Sequence, residues 1–120
     1  MIKYKIKYIE GDHPLAAVEF EDEKYKMLGE FMLAERSFRR DILGIVNEVD
    51  LGLSYKEYFS GNVYTLMVTP ESCVLTNDLD DDAPALKVDT PEFKKIFLDY
   101  MYALRELSVK DKMSRHGRTE

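Results

Sequence analysis

The sequence predicts a single α+β domain, and three stretches predict it: strict alternation at the amino terminus, a strand–turn–strand run from Asn62 to Asn77, and an apolar stripe at helical spacing after Asp89. Together they give a mainly antiparallel sheet, built from an N-terminal hairpin and a three-strand meander. One or two amphipathic helices, including a C-terminal one, pack against it. The domain is expected over 1–109, with a polar tail over 110–120.

Ile2, Tyr4, Ile6 and Tyr8 alternate with Lys3, Lys5 and Lys7, the pattern of a strand with one dry and one wet face. Gly11-Asp12-His13-Pro14 carries turn residues, so Leu15 to Phe20 returns as the second strand of a hairpin. From Glu21 to Ala34 the pattern is double: Leu28, Phe31 and Met32 have helical spacing, while Met27, Gly29, Phe31 and Leu33 alternate. Helix is the favoured reading. Phe38, Ile42, Ile45, Val46 and Val49 recur every three or four residues, which predicts an amphipathic helix over Ser37 to Asp50, with Gly52 as its stop.

Tyr55 to Phe59 reads as a short strand, Ser60-Gly61-Asn62 as a tight turn and Val63 to Thr69 as a central strand. Thr69-Pro70-Glu71-Ser72 presets the next turn, Cys73 to Asn77 returns, and Leu86 to Val88 suits only a short edge strand. The last helix has the fullest set of signals. Thr90 is a good N-cap, Pro91 fits the first helical position and Glu92 suits the helix dipole. Phe93, Ile96, Phe97, Tyr100, Met101, Leu104 and Leu107 form a stripe that needs a sheet to cover.

Composition narrows the function. With 120 residues, of which 45% are hydrophobic, the chain can close a core of its own. No leader-like segment or membrane-length apolar run is seen, so a soluble, cytosolic protein is expected. The single cysteine, Cys73, forms no intramolecular disulfide and reads as a buried strand residue. A formal charge of −6 argues against a general nucleic-acid binder, which needs Lys and Arg to displace counterions, and favours a basic protein partner. From Asp78 to Glu92 there are six acidic residues against the lone Lys87.

Asp78, Asp80 and Asp82 occupy the first, third and fifth positions of a calcium-type loop, and Asp89 the twelfth. Ala83 stands where the sharp turn wants glycine, however, Pro84 follows it, and a strand rather than a helix precedes it, so no metal site is expected. The stretch reads as a solvated loop or as a recognition surface presenting carboxylates to a partner's Lys and Arg. His13 and His116 lack a nearby nucleophile–carboxylate arrangement, and the short motifs of nucleotide-binding, metalloprotease and hydrolase sites are missing. Neither catalysis nor a cofactor is therefore expected. The Lys3, Lys5, Lys7 row suits a wet or edge-guarding strand face. Arg36, Arg39 and Arg40, near Glu35 and Asp41, suggest a salt-bridged helix surface rather than a basic patch. Tyr58, in the aromatic group around the Ser60-Gly61-Asn62 turn, is a candidate interface anchor.

Gly52, Tyr58, Gly61-Asn62, Tyr64, Leu66, Val68, Thr69, Val74, Asn77, Asp78, Val88, Thr90, Glu92-Phe93, Ile96 and Tyr100 give the run from about Ile42 to Leu107 a pattern. It resembles the small bacterial immunity proteins encoded beside polymorphic toxins, including those of contact-dependent growth inhibition systems. The resemblance implies a non-catalytic protein that binds a cognate toxin domain, often a nuclease, and covers its active site or an adjacent surface. Such a target is basic, because a nuclease must attract phosphate, and an acidic inhibitor gains association rate through steering. The expected contact surface is the loop of Asp78, Asp80, Asp81 and Asp82 with Tyr58. Its rival is the acidic cluster of Glu19, Glu21, Asp22 and Glu23. The alternative functions are a regulatory or adaptor domain for an unrelated protein and a minor enzyme with a site assembled from distant residues.

Overall fold

The hairpin and the meander both form, in separate antiparallel sheets with the helices between them. The computed structural model describes the backbone of residues 1–118 and the side chains of residues 1–110. Tyr4–Ile9 (β1) pairs with Leu15–Phe20 (β2), with Ile6 opposite Val18 and Tyr8 opposite Ala16. The period of two therefore puts Tyr4, Ile6, Val18 and Phe20 on the face that packs on the core, and Lys5, Lys7 and Glu19 on the wet face.

The doubly readable segment is helical. Asp22 accepts a hydrogen bond from the Lys24 N–H and caps a short 3-10 turn, Glu23–Tyr25, that leads into α1, Lys26–Ala34. The helical period buries Leu28, Phe31 and Met32 together, whereas an extended segment would have turned Leu28 and Met32 away from Phe31. A second 3-10 turn, Arg36–Phe38, precedes α2, Arg39–Asp50, which buries Ile42, Val46 and Val49. Gly52 follows with φ +77°, the left-handed conformation that ends helices at little cost for glycine.

The second sheet has the order β3-β4-β5-β6, from Glu57–Ser60 (β3), Tyr64–Val68 (β4), Ser72–Asn77 (β5) and Leu86–Asp89 (β6). Its inner face carries Phe59, Leu66 and Leu75 in one row and Val68, Cys73 and Val88 in the next. These rows meet α3, Thr90–Arg118, through Phe93, Ile96, Phe97, Tyr100 and Ala103, all buried. The β1–β2 hairpin covers α1 and α3 from the other side. Phe31 of α1 sits at the centre, edge-on to Tyr64 at 5.8 Å and 6.3 Å from Phe93.

The Thr90 hydroxyl, expected to cap α3, instead donates to the Thr69 carbonyl at 2.6 Å and so ties the start of the helix to the end of β4. The helical backbone of α3 continues through the expected polar tail to Arg118, where only side chains up to Lys110 are described. Among the described residues no helix is long and apolar enough to cross a membrane.

Candidate partner-binding surface

Strand alternation leaves the β3–β6 sheet with an outer face turned away from the helices. Register places Tyr58, Met67, Val74 and Lys87 in one row across that face, and Ser60, Thr65 and Thr76 in the next. The first row is a short apolar strip ending in a cation. Tyr58 is 59% exposed, and Lys56 Nζ lies 5.6 Å from its ring centroid.

The second row connects the strip to the acidic loop. Ser60 Oγ and Thr65 Oγ1 are 3.2 Å apart, and Thr65 Oγ1 donates to Asp78 Oδ2 at 2.7 Å. The Asp78 N–H donates to the Val63 carbonyl at 2.8 Å, so the β3–β4 turn and the root of the loop are clamped together. Beyond Asp78 the chain makes two side-chain turns: Asn77 Oδ1 accepts from the Leu79 N–H at 2.9 Å, and Asp80 Oδ1 from the Asp82 N–H at 3.1 Å. Asn and Asp hold such turns because a short side chain can accept from the backbone two residues on. The result is a formed loop with Asp80, Asp81 and Asp82 exposed and Leu79, 76% exposed, among them. None of the four aspartates from Asp78 to Asp82 is in an ion pair among the described residues. Nor do any three His, Cys, Asp or Glu side chains there converge in a way that could hold a metal ion.

Asp78, Asp80, Asp81 and Asp82 thus extend from one end of the sheet, and Tyr58 stands on its outer face one row in from Ser60 and Thr65. Glu21, Asp22 and Glu23 do not join them. They lie near the far end of β6, where Glu21 and Asp22 line a cleft of about 550 Å³ together with Lys3, Lys24, Lys87, Asp89 and Glu92. Asp22 is also 4.0 Å from Lys24 Nζ. Of the carboxylates that line that cleft, Asp22 is in an ion pair, whereas none of the loop aspartates is in one among the described residues.

The salt-bridged arginine surface expected between Arg36 and Asp41 does not form. Glu35 is fully buried, and its carboxylate accepts from the backbone N–H groups of Asn62 at 2.9 Å, Val63 at 3.0 Å and Tyr64 at 3.1 Å. Drawn into the β3–β4 turn, it is lost to the arginines as a counter-charge. Arg36 and Arg39 donate instead to the carbonyls of Leu33 at 2.7 Å and Arg36 at 2.9 Å, one turn back along the chain.

Cys73 is buried beside the Thr90 hydroxyl at 3.7 Å, and burial pushes its thiol up to about 11, so it is a core side chain and a poor nucleophile at neutral pH. His13 is exposed in the β1–β2 turn. Sequence reasoning missed Leu79, an apolar residue flanked on both sides by aspartate, and Thr65, whose place beside Asp78 depends on strand register. No protein-family model, curated protein or solved structure matches the chain.

Proposed function

We propose that this chain is a non-catalytic, cytosolic inhibitor of the immunity type, which neutralises a cognate toxin domain by laying the Tyr58–Asp78 surface against a basic region of it. The observation that carries the reading is the continuity from Tyr58 through Ser60 and Thr65 to Asp78, which joins an exposed aromatic to a formed, unpaired acidic loop. Tyrosine supplies contact area with a polar tip, and Leu79 adds an apolar contact within the charged rim. The unpaired carboxylates attract Lys and Arg at a distance and speed encounter. A nuclease toxin fits this chemistry, because its substrate groove is positive for the same reason that an acidic loop is attracted to it.

The experiment is co-expression and co-purification with the toxin domain encoded next to this chain. The wild type should protect the cell and form a stable complex. Exchanging Asp80, Asp81 and Asp82 for Asn should slow association and flatten its salt dependence. Tyr58→Ala should speed dissociation by about tenfold or more while leaving the melting curve in place. Failure of the wild type to bind or protect would sink the reading, and unchanged kinetics in the triple variant would remove the loop from it.

A further inference from the structure

The sequestration of Glu35 has an effect on the helical side of the molecule. A groove of about 480 Å³ runs between α2 and α3, and no carboxylate among the described residues lines it. Its floor is aliphatic, with Leu43 from α2 and Met101 and Leu104 from α3, and its polar lining includes Arg39, Arg40 and Arg105. None of these three guanidinium groups is in an ion pair among the described residues. Arg40 and Arg105 are exposed, and Arg39 spends one N–H on the Arg36 carbonyl. In a chain of net charge −6, a concave surface with three arginines that no described carboxylate pairs, over an apolar floor, is at odds with the global balance.

We infer that this groove is a second docking surface, whose occupant is an acidic amphipathic helix of a partner protein. Two helices side by side leave a groove that a third fills with apolar side chains at i, i+3 or i+4, and i+7. Met101 and Leu104 on α3 and Arg39 and Leu43 on α2 already carry that spacing on the receiving side. The guanidinium fork accepts carboxylates two oxygens at a time, so Glu or Asp along the rims of the incoming helix would neutralise the arginines. The like charge of the rims selects against a basic helix, so the groove and the Asp78–Asp82 surface choose partners of opposite sign. This inference does not depend on the toxin-binding reading: the groove lies on the helix layer, and the acidic surface on the reverse of the sheet.

The test is fluorescence anisotropy of a labelled synthetic helix with leucine every third or fourth position flanked by glutamate, titrated with the full chain. The glutamate helix should bind, with affinity that falls as salt rises, and its lysine counterpart should not. The Arg40→Glu, Arg105→Glu double variant should weaken binding by about tenfold or more, since both positions are exposed and the fold should stand. Exchange of Asp80, Asp81 and Asp82 for Asn should leave this binding unchanged. Equal binding of the two helices would overturn the inference, as would undiminished binding by a double variant that melts like the wild type. Should that variant melt early, Arg105→Gln with a salt titration decides in its place: unchanged affinity and no salt dependence count against the groove. Co-sedimentation with phosphatidylglycerol vesicles in the absence of any helix binding would also overturn it, by assigning the arginines to an anionic membrane surface.

Discussion

The carboxylate of Glu35 occupies the space where a side chain at Gly61 would be. A Cβ built on Gly61 would overlap both carboxylate oxygens and the carbon between them. Gly61 is not among the residues with positive φ, so its need for glycine arises from this close approach and not from an unusual backbone. The turn closes around the anion with three backbone N–H donors from Asn62, Val63 and Tyr64 and with its own Gly61 N–H to Tyr64 carbonyl bond at 2.9 Å. Successive N–H groups converging on one carboxylate form an anion-binding concavity, here filled by the protein itself. Because Val63 also receives the Asp78 N–H, the same carboxylate steadies the root of the acidic loop.

This geometry predicts that Gly61→Ala and Glu35→Ala are coupled. Glu35→Ala leaves buried or half-buried N–H groups without their acceptor, and hydrogen bonds to charged groups contribute about 1.5–3 kcal/mol each, so a loss of about 3–5 kcal/mol is expected. Gly61→Ala should cost about 2 kcal/mol or more in the wild type, because the added methyl displaces the carboxylate. It should cost much less in the Glu35→Ala background, where that space is empty. Urea denaturation of the four proteins in the cycle measures the coupling, and strictly additive losses would contradict the contact.

The local parts of this fold were legible because they rest on local physics. The Lys3-Tyr4-Lys5-Ile6 alternation, the Ile42, Val46, Val49 stripe and the Phe93, Ile96, Phe97, Tyr100 stripe each declare a period, and each is buried or half-buried on the expected side. Turn chemistry likewise located the β3–β4 and β4–β5 connections. What could not be read was where long-range partners meet. Glu35 lies 27 residues from Asn62, and its neighbours Arg36 and Arg39 offered a plausible local ion pair that the hairpin turn outcompeted. The arginine groove was obscured for the same reason, since neutral pairing within one helix surface was the simplest reading of Glu35 to Asp41. The acidic loop was visible as composition. Its connection to Tyr58 required the register of Ser60 against Thr65.

Phe97 supplies a test of the helix–sheet interface. It is 2% exposed and stacks on Phe93 with ring centroids 5.6 Å apart and planes at 12°. Phe97→Ala removes this contact and opens a cavity that the paired rings cannot close, so a loss of about 3–5 kcal/mol is expected. In a domain of this size that is a large share of the stability, and the thermal midpoint should fall by well over ten degrees, about 4–8 °C per kcal/mol in small domains. An unchanged midpoint would place the stripe outside the core.

Cys73 gives the fold an alkaline limit. Burial raises its thiol from the ordinary 9.0 to about 11, with the Thr90 hydroxyl acting weakly the other way. A raised folded-state value means that the unfolded chain releases the proton first. The stabilisation is therefore complete below about pH 9 and is lost as pH rises toward 11. Tyr64 and Tyr100 are shifted in the same direction, burial being the largest cause for each, and Tyr100 Oη has no hydrogen-bond partner among the described residues to offset that burial. Urea denaturation at pH 8 and pH 10 should show a loss of about 1 kcal/mol from the thiol, with the tyrosines adding to it at higher pH. Cys73→Ala should be less stable than the wild type at pH 8 through its lost packing but should show a shallower decline between pH 8 and pH 10. Identical slopes for the two proteins would mean that the thiol is free to ionise in the folded chain, and that Cys73 is reached by water at the β5–α3 contact.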